Sequence, residues 1–374
     1  MRKPPLHAIG SVSWNKVRGG EKMERKDLLL RRSAWMEETD RSTVVLSSRI
    51  RLARNLEDMP FPHVMSAELA QKVEEKLVRT LETVTVEGEK LTYLSLGDLT
   101  PIERQVLTEK HLISPALVNS PAGRGAALAA DHRVAVMVNE EDHIRLQTLL
   151  PGNQLEETFR LADALDDALE EHLDYAYREA QGYLTACPTN VGTGLRASVM
   201  VHLPALAMTN RIQQVLGALA PLGLAVRGLY GEGSQAFGHI FQLSNQITLG
   251  KSEADILAHL GAVTGQIVEH ELQARAALQE HALLALEDKV WRARGTLEKA
   301  RLLTSEDAMH LLSHDRLGVD MGILPKPQRT FASLLVESHP GCLQYVLNKE
   351  LDAGQRDAER AKFIREAFVP QADS

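Results

Sequence analysis

The sequence is poor in cysteine: Cys187 and Cys342 are the only two in 374 residues, and they form no C-x-x-C pair. That excludes a disulfide framework and makes the reducing cytoplasm the expected setting. Long apolar runs are also missing, since none reaches the roughly 20 residues a membrane helix needs. No apolar stretch follows the basic residues near the start, so no secretory signal is read. Basic charge is not in excess: 42 Lys and Arg stand against 50 Asp and Glu, a net charge of −8. A generally basic nucleic-acid binder is thereby excluded. Neither a membrane nor a nucleic acid is an expected partner. His310 and His314 lie four apart on an expected helix, but no third ligand stands nearby, so no protein-held metal is expected. The familiar nucleotide motifs, G-x-x-x-x-G-K-[ST], H-R-D and D-F-G, do not occur.

What is present is ordinary globular composition, 44% hydrophobic and 25% charged, in a chain long enough for two or three domains. One stretch concentrates chemistry: Ala186-Cys187-Pro188-Thr189-Asn190-Val191-Gly192-Thr193-Gly194-Leu195-Arg196. Its glycines permit positive φ and close approach of the backbone. Such a loop can aim successive N–H groups at an anion, and Arg196 adds a planar charged fork. A structural turn is the alternative reading.

In chain order, residues 1–22 show little periodicity and read as disordered. Gly19-Gly20-Glu21 just ahead of Met23 resembles a translated ribosome-binding sequence, so 1–22 is expected to be a non-native extension and 23–43 an N-terminal segment. Residues 43–55 read as a strand in which Arg49 and Arg51 share one side. Leu69, Val73, Leu77 and Leu81 mark a helix over 66–83. Asp98-Leu99-Thr100-Pro101 opens a helix ending near His111. Val134–Val138 reads as a buried strand, followed at once by the carboxylates Glu140, Glu141 and Asp142. Residues 155–179 read as one acidic amphipathic helix. Residues 197–206, 224–228 and 237–249 read as strands, with a helix over 210–219. From 252 onward the chain is helical, with 252–301 as one long helix and further helices over 304–316, 328–336 and 340–350. Arg356 and Arg360 then share a helix face beside Asp357.

Arginines at 49, 51, 145, 196 and 227, with acids Glu141 and Glu232 and the thiol of Cys187, suggest phosphoryl transfer. Clustered guanidinium groups can clamp a triphosphate and stabilise transition-state charge. Mg²⁺ is then held mainly by phosphates and water. Two carboxylates suit a guanidinium acceptor, which they can grip bidentately. One of them can take the proton whose loss makes that nitrogen nucleophilic. A thiolate, its pKa lowered by the arginines, would add negative charge beside the acceptor.

Cys187-Pro188-Thr189-Asn190-x-Gly192-Thr193-Gly194-x-Arg196 resembles the signature of the ATP:guanido phosphotransferases, the creatine and arginine kinase group. Ser47-Ser48-Arg49-Ile50-Arg51, Asn139-Glu140-Glu141-Asp142-His143-x-Arg145 and Arg227-Gly228-x-x-Gly231-Glu232 resemble three further motifs of that family, in order. The resemblance implies an α+β fold: an antiparallel sheet flanked by helices over 44–275, then a small all-α domain over 276–374. It implies ATP contacts by Ser47, Ser48, Arg49, Ile50, Arg51, His111, Arg145, Arg196, Ala197, Ser198, Val199, Met200, Arg227, Gly228, Leu229, Tyr230, Gly231 and Glu232. Glu141 and Glu232 would deprotonate the acceptor, with Cys187 beside it.

Small-molecule members carry a helical domain before the S-S-R motif. Here an extra helical region follows the catalytic one, which resembles the bacterial protein-arginine kinases (McsB type). Arg356-Asp357-x-x-Arg360-Ala361 resembles the phosphoarginine pocket of that branch, linked to allosteric control and dimerisation. The same resemblance implies a homodimer, an activator with zinc modules, a heat-shock repressor as substrate, and delivery of marked proteins to a Clp-type AAA+ protease. A kinase of free arginine or another small guanidino compound is the alternative.

Overall fold

The computed structural model describes residues 24–38, 44–119, 122–228 and 237–368. Its frame is an eight-stranded sheet made of β1 Val45–Arg54, β2 Thr92–Ser95, β3 Gly125–Leu128, β4 Val134–Val138, β5 Ile144–Pro151, β6 Leu195–His202, β7 Leu224–Gly228 and β8 Ile240–Asn245. The spatial order is β7-β8-β6-β1-β5-β4-β3-β2, with every neighbouring pair antiparallel.

Alternation along the strands sorts the side chains onto two faces. Ile50, Leu52, Leu146, Val136, Ala197 and Val199 point to one face. There they pack on helices α1 Ala67–Thr83, α3 Leu155–Glu170 and α4 Glu253–His281. The opposite face carries Met137, Leu149 and Met200. These join a second core with α2 Pro101–Glu109, the N-terminal residues Leu28, Leu29, Trp35 and Met36, and the C-terminal helices. Those helices are α5 Leu283–Lys299, α6 Ser305–Asp320, α7 Phe331–Glu337, α8 Pro340–Leu347 and α9 Ala353–Glu366.

The expected α+β architecture is found, and several boundaries differ from the sequence reading. The strand read over 237–249 is only β8 Ile240–Asn245, because a tight turn at Phe237–His239 with Gly238 at φ 64° precedes it. The helix read over 304–316 runs on to Asp320, and that read over 340–350 stops at Leu347, where Asn348 is left-handed. Helix α3 stops at Glu170, not 179. Residues 174–176 are drawn off to pair with 55–57, through Glu57 N–H to Asp174 O and Ala176 N–H to Asn55 O. The strand read over 197–206 ends at His202, because Pro204 opens a short helix. The long helix read over 252–301 breaks at Ala282, whose φ of −144° is not helical. Alanine favours helix, so tertiary packing overrides propensity here. Leu286 and Val290 of α5 are drawn onto Leu317 of α6 and Leu324. Arg294 holds Asp315 at 2.6 Å across the same pair of helices.

The expected extension 1–22 and the motif residues Leu229, Tyr230, Gly231 and Glu232 lie outside the described residues.

Candidate functional site

Sheet register brings the scattered arginines together. Arg51 lies opposite Arg196 on β6 and opposite Gln147 on β5, and Ala53 lies opposite Arg145. Ser198 faces Arg49 on one side and Ser244 on the other, while Gln242 faces Met200 and Arg227. Directly opposed residues share a face, so Arg49, Arg51, Arg145, Arg196 and Arg227 all project from the same side of the sheet.

Arg49 and Arg196 each donate to neutral side chains. Arg49 donates from Nη2 to Gln242 Oε1 at 2.7 Å and from Nε to Ser198 Oγ at 3.4 Å. Arg196 donates from Nη2 to Ser244 Oγ at 3.2 Å. Arg51 Nε is buried without a hydrogen-bond partner. Burial, and then the charges of Arg145 and Arg196, push the Arg49 guanidinium down to about 9. Burial, then the charges of Arg49, Arg145 and Arg196, hold Arg51 well below the usual arginine range, with Glu140 opposing them. Like charges held this close form a preorganised site for a polyanion.

His111 flanks the cluster. Its backbone is left-handed, with φ 61°, and its carbonyl accepts from Gln147 Nε2 at 2.7 Å. Burial first, then the charges of Arg49 and His339, push its imidazole down to about 3, so it is neutral at ordinary pH.

The three acids after β4 divide their work. Glu140 accepts from Arg145 Nη1 at 2.6 Å, from Ser114 Oγ at 2.5 Å and from the Glu141 amide at 3.0 Å. Burial raises its pKa, but these donors outweigh burial and hold it below the usual carboxylate range. Asp142 accepts at Oδ1 from Asn55 Nδ2 at 2.6 Å and from the Ala186 amide at 2.7 Å. Glu141 between them is exposed. Partial desolvation of its carboxyl, then Asp142 and Glu140, push its pKa up, against Arg145 and Arg196. Asp142 thus ties the acid turn to the residue before Cys187, bringing Glu141 and the thiol to one corner. Cys187 Sγ lies 3.0 Å from Thr189 Oγ1.

The two glycines of this loop serve close packing. A Cβ on Gly192 would sit 2.9 Å from Leu249 Cα, and one on Gly194 would sit 2.7 Å from Ala53 O. Thr248 Oγ1 then donates to Thr189 O and Val191 O at 2.9 and 2.7 Å.

Some expected contacts are not brought to the arginine face. The side chains of Ile50, Ala197 and Val199 point into the opposite core. Ser48 turns the same way, donating to Gly152 O and accepting from the Gln154 amide. Ser47, Ser198 and Met200 stay on the arginine side, and Gly228 ends β7 beyond Arg227. Gln147, Gln242 and Ser244 were missed in the sequence. Their signal is polar residues at alternate positions of apolar strands, visible only once the register is known.

In the C-terminal region, Arg360 is buried. It donates from Nε to Ser338 O at 2.9 Å, and from Nη1 to Leu303 O at 2.7 Å and Asp357 Oδ1 at 2.6 Å. Ala361 is fully buried, and Arg356 donates to Leu351 O at 3.2 Å. Among the described residues no three His, Cys, Asp or Glu side chains are grouped to hold a metal ion. The histidines at 310 and 314 instead pack edgewise or tilted on Phe237 and His239. No helix among the described residues is long and apolar enough to cross a membrane.

An arginine-lined face beside a carboxylate and a thiol, on an antiparallel sheet between helices, defines a phosphotransferase of the guanidino-kinase class. The family model for the ATP:guanido phosphotransferase C-terminal catalytic domain matches residues 72–274, and that for the protein-arginine kinase McsB C-terminal domain matches 284–374. A protein-arginine kinase of Moorella thermoacetica is 50% identical over 346 residues, covering 91% of this chain and 99% of that one. One of Bacillus subtilis is 47% identical over 337 residues, covering 89% and 93%. Among solved structures, a lombricine kinase superposes with a TM-score of 0.55 at 26% identity, over 68% of this chain and 71% of its own. The duplicated taurocyamine kinase of Schistosoma mansoni gives 0.56 at 28%, over 66% of this chain and 36% of its own. The chain belongs to the ATP:guanido phosphotransferase family, in its protein-arginine kinase branch.

Proposed function

We propose that the protein transfers the γ-phosphoryl group of ATP to the guanidinium of arginine side chains in proteins. The observation that carries this reading is the set of five arginines on one sheet face, joined to the Glu141–Cys187 corner. In this reading Arg49, Arg51, Arg145, Arg196 and Arg227 hold the phosphates, and His111 lies against the nucleotide. The donors on this face suit phosphate oxygens, so Mg²⁺ arrives bound to ATP and water. Glu141, its basicity raised by partial desolvation and by the two neighbouring acids, takes a proton from the acceptor nitrogen. That nitrogen bonds to Pγ as the Pγ–O bond breaks, and ADP leaves with the bond's electron pair. Glu232 is assigned the second grip on the guanidinium, and Cys187 the negative charge beside it.

The wider role follows the branch. The products would be proteins marked for a Clp-type AAA+ protease, among them a heat-shock repressor inactivated by the mark. A zinc-module activator would switch the enzyme on, and Arg356, Asp357, Arg360 and Ala361 would bind phosphoarginine allosterically in a cytoplasmic homodimer.

The test is phosphoryl transfer from labelled ATP, offered an unfolded arginine-rich protein and, separately, free arginine. Acid-labile label on the protein is expected. Label on free arginine alone would replace this reading with a small-molecule kinase.

A further inference from the structure

Residues Glu109, Lys110 and His111 are consecutive, and each reaches a different part of the molecule. Glu109 ends α2 and turns to the C-terminal region. Its carboxylate accepts from the amides of Gly341 and Cys342 at 2.8 and 2.7 Å, and from Gln105 Nε2 at 2.9 Å. It thereby satisfies the first amides of α8, which would otherwise be orphaned. The approach is tight, for a Cβ on Gly341 would lie 2.7 Å from Gln105 Cγ and 2.9 Å from Glu109 Oε2. Lys110 is 4% exposed and turns to the N-terminal segment, donating from Nζ to Leu29 O and Arg31 O. Trp35 closes that side, donating from Nε1 to Lys110 O at 3.2 Å and setting its ring 5.4 Å from the His111 ring. His111 itself lies beside Arg49 and closes the C-terminal cap of α2 in the left-handed conformation, with Leu112 N–H donating to Leu107 O at 2.9 Å.

We infer that Glu109 and Lys110 are positioning residues that fix His111 against the nucleotide site. The N-terminal segment and the C-terminal helices thus complete a site whose arginines all come from the sheet. The C-terminal anchor extends one step further: Ser338, just ahead of α8, receives Arg360 Nε at 2.9 Å. Helix α9 is therefore connected to His111 through the turn at 338–342 and Glu109.

This rests on the reading of His111 as a nucleotide contact, so His111→Ala is measured in parallel. In Glu109→Gln an amide N–H₂ is set against a backbone N–H, and the grip on 341–342 fails. At saturating protein substrate, KM for ATP should rise about 10-fold, with kcat at saturating ATP held within about 2-fold, the pattern of lost binding rather than lost chemistry. KM for the protein substrate should not move. Gly341→Ala, which presses on the flexible Gln105, should give the same ATP-specific change and carries the test if Glu109→Gln does not fold. An unchanged KM for ATP in a folded variant would overturn the inference, as would a proportional fall of every parameter. If His111→Ala itself leaves KM for ATP unchanged, the reading of His111 as a nucleotide contact is what fails.

Discussion

Two sets of arginines in this molecule are placed under opposite rules. Arg54, Arg275 and Arg294 are buried, and each meets a carboxylate: Asp166 at 2.6 Å, Glu271 at 2.9 Å and Asp315 at 2.6 Å. Arg54 also lies 3.5 Å from the centre of the Tyr183 ring and donates to Thr193 O. Arg49 and Arg51 sit on the sheet face, Arg49 against the Gln242 amide and the Ser198 hydroxyl, and each is pressed by the neighbouring arginines. A buried charge left without its counter-charge is unfavourable, so the first set is explained by folding alone. The second set is not: burial and mutual repulsion work against Arg49 and Arg51, and a bound polyanion would offset that repulsion. Arg145 stands between the two, half-neutralised by Glu140 at the rim.

The sharpest break of that comparison removes one arginine from each set. Arg51→Ala should lower kcat/KM by about 10³-fold, roughly 4 kcal/mol of transition-state stabilisation. Its melting temperature should hold or rise, because a repelling charge is gone. Arg54→Ala should do the reverse, losing about 3–5 kcal/mol of stability by stranding Asp166. Kinetics and thermal melts of the two purified variants check both. A stability loss in Arg51→Ala as large as in Arg54→Ala would erase the distinction.

ATP supplies the next contrast. At 100 times its Kd it should stabilise the wild-type protein by about 2.7 kcal/mol, and far less after Arg51→Ala. A thermal shift of equal size in both proteins would place the polyanion elsewhere.

Acid probes the packed regions instead. Burial pushes His132 down to about 3, His143 and His339 down to about 4, and His202 well below its ordinary value. Unfolding lets each bind a proton below about pH 6.5, while the folded form stays neutral. Their stabilisation is therefore complete above pH 6.5 and is lost as pH falls toward 4. Each contributes about 1.4 kcal/mol per pH unit in that window. Urea midpoints at pH 7.5 and 5.5 should show the loss.

How much of this was legible in the sequence follows from the range of the forces involved. Arg49 and Arg51 could be placed on one side because alternation is local. Asp98-Leu99-Thr100-Pro101 could be read as a helix start because start signals are local, and the structure adds a capping box between Thr100 and Glu103. The three acids after β4 could be seen but not sorted. Glu140 and Asp142 take their roles from Arg145, Ser114, Asn55 and Ala186, up to 87 residues away. The break at Ala282 had no local signal, because packing against Leu317 and Leu324 decides it. Gln242 was passed over for the same reason, since its place beside Arg49 depends on the order of β8, β6 and β1.

Gln242 also offers the smallest and most pointed test. Gln242→Glu would give Arg49 what Arg54 already has, a carboxylate at hydrogen-bond distance, with almost no change of shape. If the two sets differ only in counter-charge, this one substitution should move Arg49 from the second set to the first. Stability should rise by about 1 kcal/mol as the repulsion from Arg145 and Arg196 is offset. ATP affinity should fall by roughly 10-fold, because the new carboxylate occupies the fork and repels the incoming phosphates. Calorimetric titration with ATP and a thermal melt on the same sample read both effects. Opposite signs for stability and affinity are what the comparison requires. Tighter ATP binding together with higher stability would mean that Gln242 orients Arg49 and that charge balance on this face is secondary.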